Sequence, residues 1–196
     1  MRKKESITKI FAASLQVFAE YGYKKATVED IASRLDMTKG NLYLYAKNKK
    51  DLYQQTVSHA LLKWQAMVAR RVEKENDPKK KFLVMCFKAV EYLSRDNDLR
   101  RVLVRDPDIF PMFPTVDPFY DINQASKEMI KGILEQGMKE NVFRKLDVDR
   151  VSDVIFSIYK MFIIRAYIKN EDQAIQQMFA DAVELMTNGL FIGPDL

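Results

Sequence analysis

Residues Thr27–Leu52 read TVEDIASRLDMTKGNLYLYAKNKKDL, and they decide the fold class. Thr27 suits an N-cap, and Asp30 three residues on approaches a capping box, in which two residues satisfy each other's free N–H groups. Val28, Ile31, Ala32 and Leu35 recur at helical spacing and form the buried face of a short helix. Asp36 ends it, because aspartate is one of the few side chains that tolerates a left-handed backbone. Thr38 caps a third helix, predicted over Lys39–Tyr45. Asn48 caps a fourth, predicted to run to about Val72 with Leu52, Val57, Leu61, Trp64 and Val68 on its inner side. Two short capped helices around a tight turn, with a basic segment behind, have the layout of a helix-turn-helix that reads DNA.

Towards the N-terminus, Ile7, Ile10, Phe11, Leu15 and Phe18 form one apolar stripe on a first helix ending at Gly22, preceded by Arg2, Lys3 and Lys4 as a flexible basic arm. Towards the C-terminus, Glu73–Lys81 (EKENDPKKK) is a charged break with a helix-stopping proline, read as a linker. Helices are then predicted over Phe82–Ser94, Leu99–Val104, Phe119–Glu140, Asp147–Ile168 and Glu171–Asn188, the last ending at Gly189. Pro107, Pro111, Pro114 and Pro118 mark a connection between the second and third of these. No pair of strands is predicted. The fold class is therefore all-α: an N-terminal three-helix DNA-binding domain (residues 1–50) and a C-terminal helical domain for effector binding and dimerisation (residues 51–196).

Charge supports the division. The chain of 196 residues has a net charge of +5, but residues 1–50 hold 11 Lys+Arg against 5 Asp+Glu, leaving 21 against 22 for the rest. An end that carries all the excess positive charge is suited to a polyanion. Cys86 is the only cysteine, so no disulfide forms within the chain and a reducing, cytoplasmic setting is expected. The opening residues imitate a secretory signal, but Glu5, Lys9, Gln16 and Glu20 interrupt it. No stretch is long and apolar enough to span a bilayer, so no membrane partner is expected.

A recognition helix must let its first residues touch base edges while its backbone approaches phosphate. Thr38, Lys39, Gly40 and Asn41 supply a hydroxyl, a long cation, a position without bulk and a base-pairing amide. Tyr43 and Tyr45 can reach the DNA backbone or thymine methyls. Lys47, Lys49 and Lys50 can neutralise phosphates without specifying sequence; taken alone they read equally well as solvated charges. Asymmetric as it is, this set is more than a charge run.

These residues resemble the N-terminal domain of the tetracycline-repressor (TetR/AcrR) family of bacterial regulators over residues 5–53. The family pattern stands here as Thr27-Val28-Glu29-Asp30-Ile31-Ala32, then Thr38-Lys39-Gly40-Asn41-Leu42-Tyr43, Tyr45, and Lys49-Lys50-Asp51-Leu52. Asp36 stands where the family usually has glycine, Leu35 where alanine is common, and Ala46 where phenylalanine is usual. The resemblance implies that Thr27, Thr38, Tyr43 and Lys49 touch phosphate and that Lys39, Gly40, Asn41 and Tyr45 read bases. It also implies a two-fold homodimer on a palindromic double-stranded operator, released by a small molecule.

Val151–Ile168 is apolar almost all round, which demands burial on every side. A second copy would supply it, so Ile155, Tyr159 and Phe162, with Ile175, Phe179, Val183 and Met186 on the last helix, are expected at a dimer interface. Phe82, Met85, Cys86, Phe110, Phe113, Phe119, Met129 and Ile133 are expected to line a pocket for an apolar or aromatic effector, although for any one of them alone ordinary core is the stronger reading. Asp106, Asp108, Asp117 and Asp121 give the proline-rich loop an acidic rim. His59, the only histidine, has no companion at metal-ligand spacing and is expected at the surface. No metal, cofactor or catalytic residue is expected, since no nucleophile stands with a base and no glycine-rich loop cradles phosphate. The reading is a ligand-responsive DNA-binding regulator, with a repressor as the favoured form. The alternatives are a DNA-bound module answering to a protein partner and, more remotely, an all-helical enzyme.

Overall fold

The computed structural model describes residues 2–106, 109, 117–163, 165 and 172–190, with side chains from residue 7 onward and, in the last helix, from residue 177. These residues form α1 (Arg2–Lys25), α2 (Val28–Arg34), α3 (Lys39–Leu42), α4 (Lys49–Val72), α5 (Pro78–Arg95), α6 (Asn97–Arg105), α7 (Tyr120–Lys139), α8 (Val148–Ile163) and α9 (Asp172–Leu190). No sheet forms among them. The all-α reading holds.

The caps fall where the sequence places them. Thr27, Thr38 and Asn48 each accept a backbone N–H at the start of α2, α3 and α4. Asp36 adopts φ 53° between α2 and α3. Gly22 has φ 76° and breaks α1 three residues before its end. The backbone is helical from Arg2, so the basic arm is the first turn of α1. The third helix is shorter than predicted: regular hydrogen bonding ends at Leu42, and Tyr43–Tyr45 form turns. α9 continues through Gly189 to Leu190, so glycine does not stop it.

α1 lies antiparallel along α4. Phe11 faces His59 with ring centroids 5.3 Å apart, and seven residues on Phe18 faces Tyr53 at 4.9 Å. His59 is thus half-buried in this seam, not at the surface as its isolation suggested. Ile10, Val17, Phe18, Ile31, Leu42, Leu52 and Val57 make the core under α2 and α3. Ala46 is buried in the same core, in place of a larger side chain.

The break after α4 is a five-residue connection between packed helices. Trp64 on α4 donates its indole N–H to the Ala89 carbonyl of α5 at 2.9 Å. Asp77 caps α5 and Pro78 takes its first position, where the absent N–H is not missed. Glu73–Asp77 is therefore a turn within the C-terminal helical body, and α4 itself runs from the DNA-reading end into that body. α7 and α8 pack together, and Phe162 of α8 meets Phe179 of α9 at 5.2 Å.

Candidate DNA-reading surface and effector cavity

α2 and α3 expose one continuous face. Thr27 Oγ1 accepts from Asp30 N at 3.1 Å while Asp30 Oδ2 accepts from Thr27 N at 2.8 Å, a complete capping box. Hydrogen bonds from the Thr27 hydroxyl and then the Thr27 N–H hold the Asp30 carboxyl below the usual carboxylate range. The hydroxyl of Thr27 also donates to Asp30, so it is already engaged within its own cap. Thr38, Lys39, Gly40, Asn41 and Tyr43 are all exposed at α3. Gly40 is not demanded by packing: an added Cβ would meet only Thr38 Oγ1, at 3.8 Å. The bare position leaves space for an approaching partner.

Lys39 Nζ bonds Glu29 Oε1 of α2 at 2.5 Å and lies 6.0 Å from the Tyr43 ring centroid. The hydrogen bond raises the lysine's pKa and lowers the glutamate's. Both side chains are about half exposed, so the pair holds the lysine in a pose more than it stabilises the fold. A base or phosphate would compete with Glu29 for this cation, a feature the sequence reading missed.

Two expected contacts sit differently. Tyr45 is half-buried against the core. Lys49 Nζ donates to the Lys24 carbonyl at 3.2 Å and stands 4.8 Å over the Tyr23 ring, tying α4 to the end of α1. The residue between the tyrosines, Leu44, is 79% exposed. Its neighbours had drawn attention by their polar groups; the signal for Leu44 was only its place beside them.

The second site is a cavity of about 90 Å³ between α4, α5, α7, α8 and α9. Met85, Cys86 and Met129 line it as expected. Phe82, Phe119 and Ile133 are buried elsewhere, Phe82 against Phe143 with centroids 6.5 Å apart. Phe110 and Phe113 lie outside the described residues. Ile155, Tyr159, Phe179 and Met186, expected at a dimer interface, are walls of this cavity. Phe162 and Val183 are likewise buried within the single chain, and the Ile175 side chain lies outside the described residues. The apolar faces of α8 and α9 are thus used largely within the molecule. Among the described residues, what they leave outside is Val154, Met161, Met178 and Leu185, the last 74% exposed.

The sequence reading also missed the polar members of the wall, Gln65, Asn123 and Ser126. Gln65 donates from Nε2 to the Ile122 carbonyl at 2.9 Å and to Ser126 Oγ at 2.8 Å, joining α4 to α7. Asn123 donates to Asp117 Oδ2 at 2.7 Å, and Asp117 Oδ1 caps Phe119 N at 2.9 Å. Asp106 accepts from the Tyr53 hydroxyl at 2.6 Å. Two members of the expected acidic rim are therefore engaged in the fold, and Asp108 lies outside the described residues. Burial pushes the Cys86 thiol up to about 12, so it stays protonated. Among the described residues no group of three His, Cys, Asp or Glu could hold a metal, and no helix is long and apolar enough to cross a membrane.

An exposed helix-turn-helix is thus joined by one long helix to a helical body with an internal cavity, the architecture of a DNA-binding protein with a second helical domain. Residues 10–56 match the model of bacterial regulatory proteins of the tetR family, so the N-terminal segment is a tetR-type DNA-binding domain. The whole chain is similar to the fatty acid metabolism regulator protein of Bacillus subtilis (strain 168), 21% identical over 197 residues, with 96% of this chain and 97% of the relative covered. The fold is shared with the transcriptional regulator FadR from Bacillus subtilis in complex with stearoyl-CoA, at TM-score 0.77 and 20% identity, covering 93% of this chain and 98% of that one. It is shared also with a transcriptional regulator from Saccharomonospora viridis in complex with choline, at TM-score 0.79 and 15% identity, covering 97% and 100%. Its N-terminal domain is accordingly a helix-turn-helix of the tetR type, set on a fold shared with these regulators.

Proposed function

We propose that this protein is a transcriptional repressor that binds a palindromic operator as a homodimer and is released by a small, largely apolar effector held in the cavity. The observation that carries the reading is α4: its first turn lies beside the reading face, and its Leu61, Trp64, Gln65 and Val68 wall the cavity. An effector that favours one arrangement of this helix shifts the population of reading-competent protein by its difference in affinity for the two arrangements. Thr38, Asn41 and Tyr43 reach the duplex, Lys39 exchanges Glu29 for a base or phosphate, and Leu44 contacts a thymine methyl. Thr27 faces phosphate, while Tyr45 and Lys49 fix the pose of the reading face. The related regulators bind ligands as different as stearoyl-CoA and choline, so the ligand must be argued from this cavity.

The second copy packs against Val154 and Met161 of α8 and Met178 and Leu185 of α9. The spacings i, i+7 place each pair on one side of its helix. A two-fold pair then presents two reading helices to half-sites roughly 34–36 Å apart or a multiple of that.

The test is binding to DNA from upstream of the protein's own gene and its neighbours, followed by fluorescence anisotropy over a salt series. Affinity should fall steeply with salt for specific and non-specific DNA alike, with a specific palindrome retained above background. Sedimentation should give a dimer that Leu185→Glu disperses. A protein that stays monomeric and ignores duplex DNA at low salt is not this regulator.

A further inference from the structure

We propose that the effector is an uncharged, mainly apolar molecule bearing a hydroxyl group, and that Gln65 and Asn123 recognise that hydroxyl. The inference rests on the cavity being the effector site.

No described residue of the cavity wall carries a charge. The carboxylate of Asp117 is held by Asn123, and the positive Lys160 lies within its field. An anion or a cation entering here would lose its water without gaining an opposite charge.

The polar atoms of the wall are oriented by the protein itself. Both hydrogens of the Gln65 amide point to α7, to Ile122 O and Ser126 Oγ. Ser126 in turn donates to the Ile122 carbonyl at 3.3 Å. The Asn123 amide is oriented by the Asp117 carboxylate. Among the described residues, Gln65 Oε1 and Asn123 Oδ1 have no donor, and neither is sealed from solvent-sized contact. Trp64 Nε1 is already bonded to Ala89. The two amides therefore offer chiefly acceptors, with the second amide hydrogen of Asn123 as a donor. A hydroxyl matches this set because it donates and accepts at once. An ester or ketone, which only accepts, leaves the two amide oxygens unanswered.

Size adds a limit. The cavity of about 90 Å³ is smaller than the roughly 150 Å³ that takes benzene, so an eight-carbon chain enters only as the surrounding helices part.

The experiment titrates the full-length protein with four probes built on an eight-carbon chain: 1-octanol, methyl octanoate, octanoate and octyltrimethylammonium. Trp64, the only tryptophan, lies on the cavity wall and reports binding by its fluorescence. 1-Octanol should bind about three- to tenfold more tightly than methyl octanoate, and at least about 100-fold more tightly than either ion. Gln65→Met should cost 1-octanol about three- to tenfold and leave methyl octanoate unchanged. An ion that equals 1-octanol overturns the proposal while leaving the cavity as the effector site. Equal loss of both neutral probes in Gln65→Met also overturns it. If none of the four binds, the effector reading of the cavity falls and this one with it.

Discussion

Replacing Gly137 with alanine should destabilise the protein, although alanine is the better helix former. Gly137 lies in α7 two turns beyond Ile130, where its carbonyl accepts the backbone N–H groups of Val142 and Phe143 at 2.8 and 3.0 Å. A Cβ there would stand 2.1 Å from Phe143 Cδ2 and 2.5 Å from Cε2 and Cγ. An ordinary contact is 3.4 Å or more, so the ring must move by more than 1 Å. It has nowhere to go: Phe143 is 2% exposed and lies edge-on to Phe82, which is fully buried. Overpacking of this kind costs about 1–3 kcal/mol, and the gain in helix propensity returns at most about 1 kcal/mol. A 2.1 Å approach belongs at the upper end of that range, about 2–3 kcal/mol, so the net loss is about 1–2 kcal/mol, which for a chain of this size lowers Tm by about 2–8 °C. Urea unfolding should show a lower midpoint at unchanged slope. Adding Phe143→Ala reverses the sign: with the ring gone, Gly137→Ala should stabilise that background. A Gly137→Ala protein as stable as the parent, or the same loss with and without the Phe143 ring, would refute the reasoning.

Lys39→Ala should weaken DNA binding and reduce the slope of log affinity against log salt by about one if the cation meets phosphate, or relax preference at one base pair if it meets a base; unchanged anisotropy titrations would remove α3 as the reader. Tyr53→Phe deletes the hydroxyl that Asp106 accepts at 2.6 Å and should cost about 1–2 kcal/mol in thermal or urea unfolding, since bonds to charged groups are the stronger kind. Burial and the charge of Lys63 lower the pKa of His59, so the unfolded chain takes up a proton there before the folded one does. Stability contributed by this site is then complete above the ordinary histidine pKa and declines as pH falls below it. A urea-midpoint profile from pH 7.5 to 5 should show that decline, and His59→Gln should flatten it.

The reading end was legible because its signals are local. A cap, a capping partner and a left-handed aspartate each act within four residues, and Thr27, Asp36 and Thr38 occupy the expected places. The length of α3 was not legible, since the turns at Tyr43–Tyr45 are set by packing of Tyr45 and Ala46 against the core. The C-terminal body was legible as helices and misread in its faces. An apolar stripe such as Ile155, Tyr159 and Phe162 declares that something covers it but not what. Here α7 and α9 do, together with a cavity that no stripe announces. Gln65, Asn123 and Ser126 escaped notice because single polar residues on apolar helices look like surface until their partners on another helix are known.

α4 has a mechanical consequence. Its 24 residues form a rod about 36 Å long at 1.5 Å per residue. Swung about its far end by only about 5°, such a lever arm carries its tip about 3 Å, more than half the rise of one helical turn. On the function proposed, a displacement within the cavity no larger than a side chain's change of rotamer would be geared up to a misfit between protein and duplex.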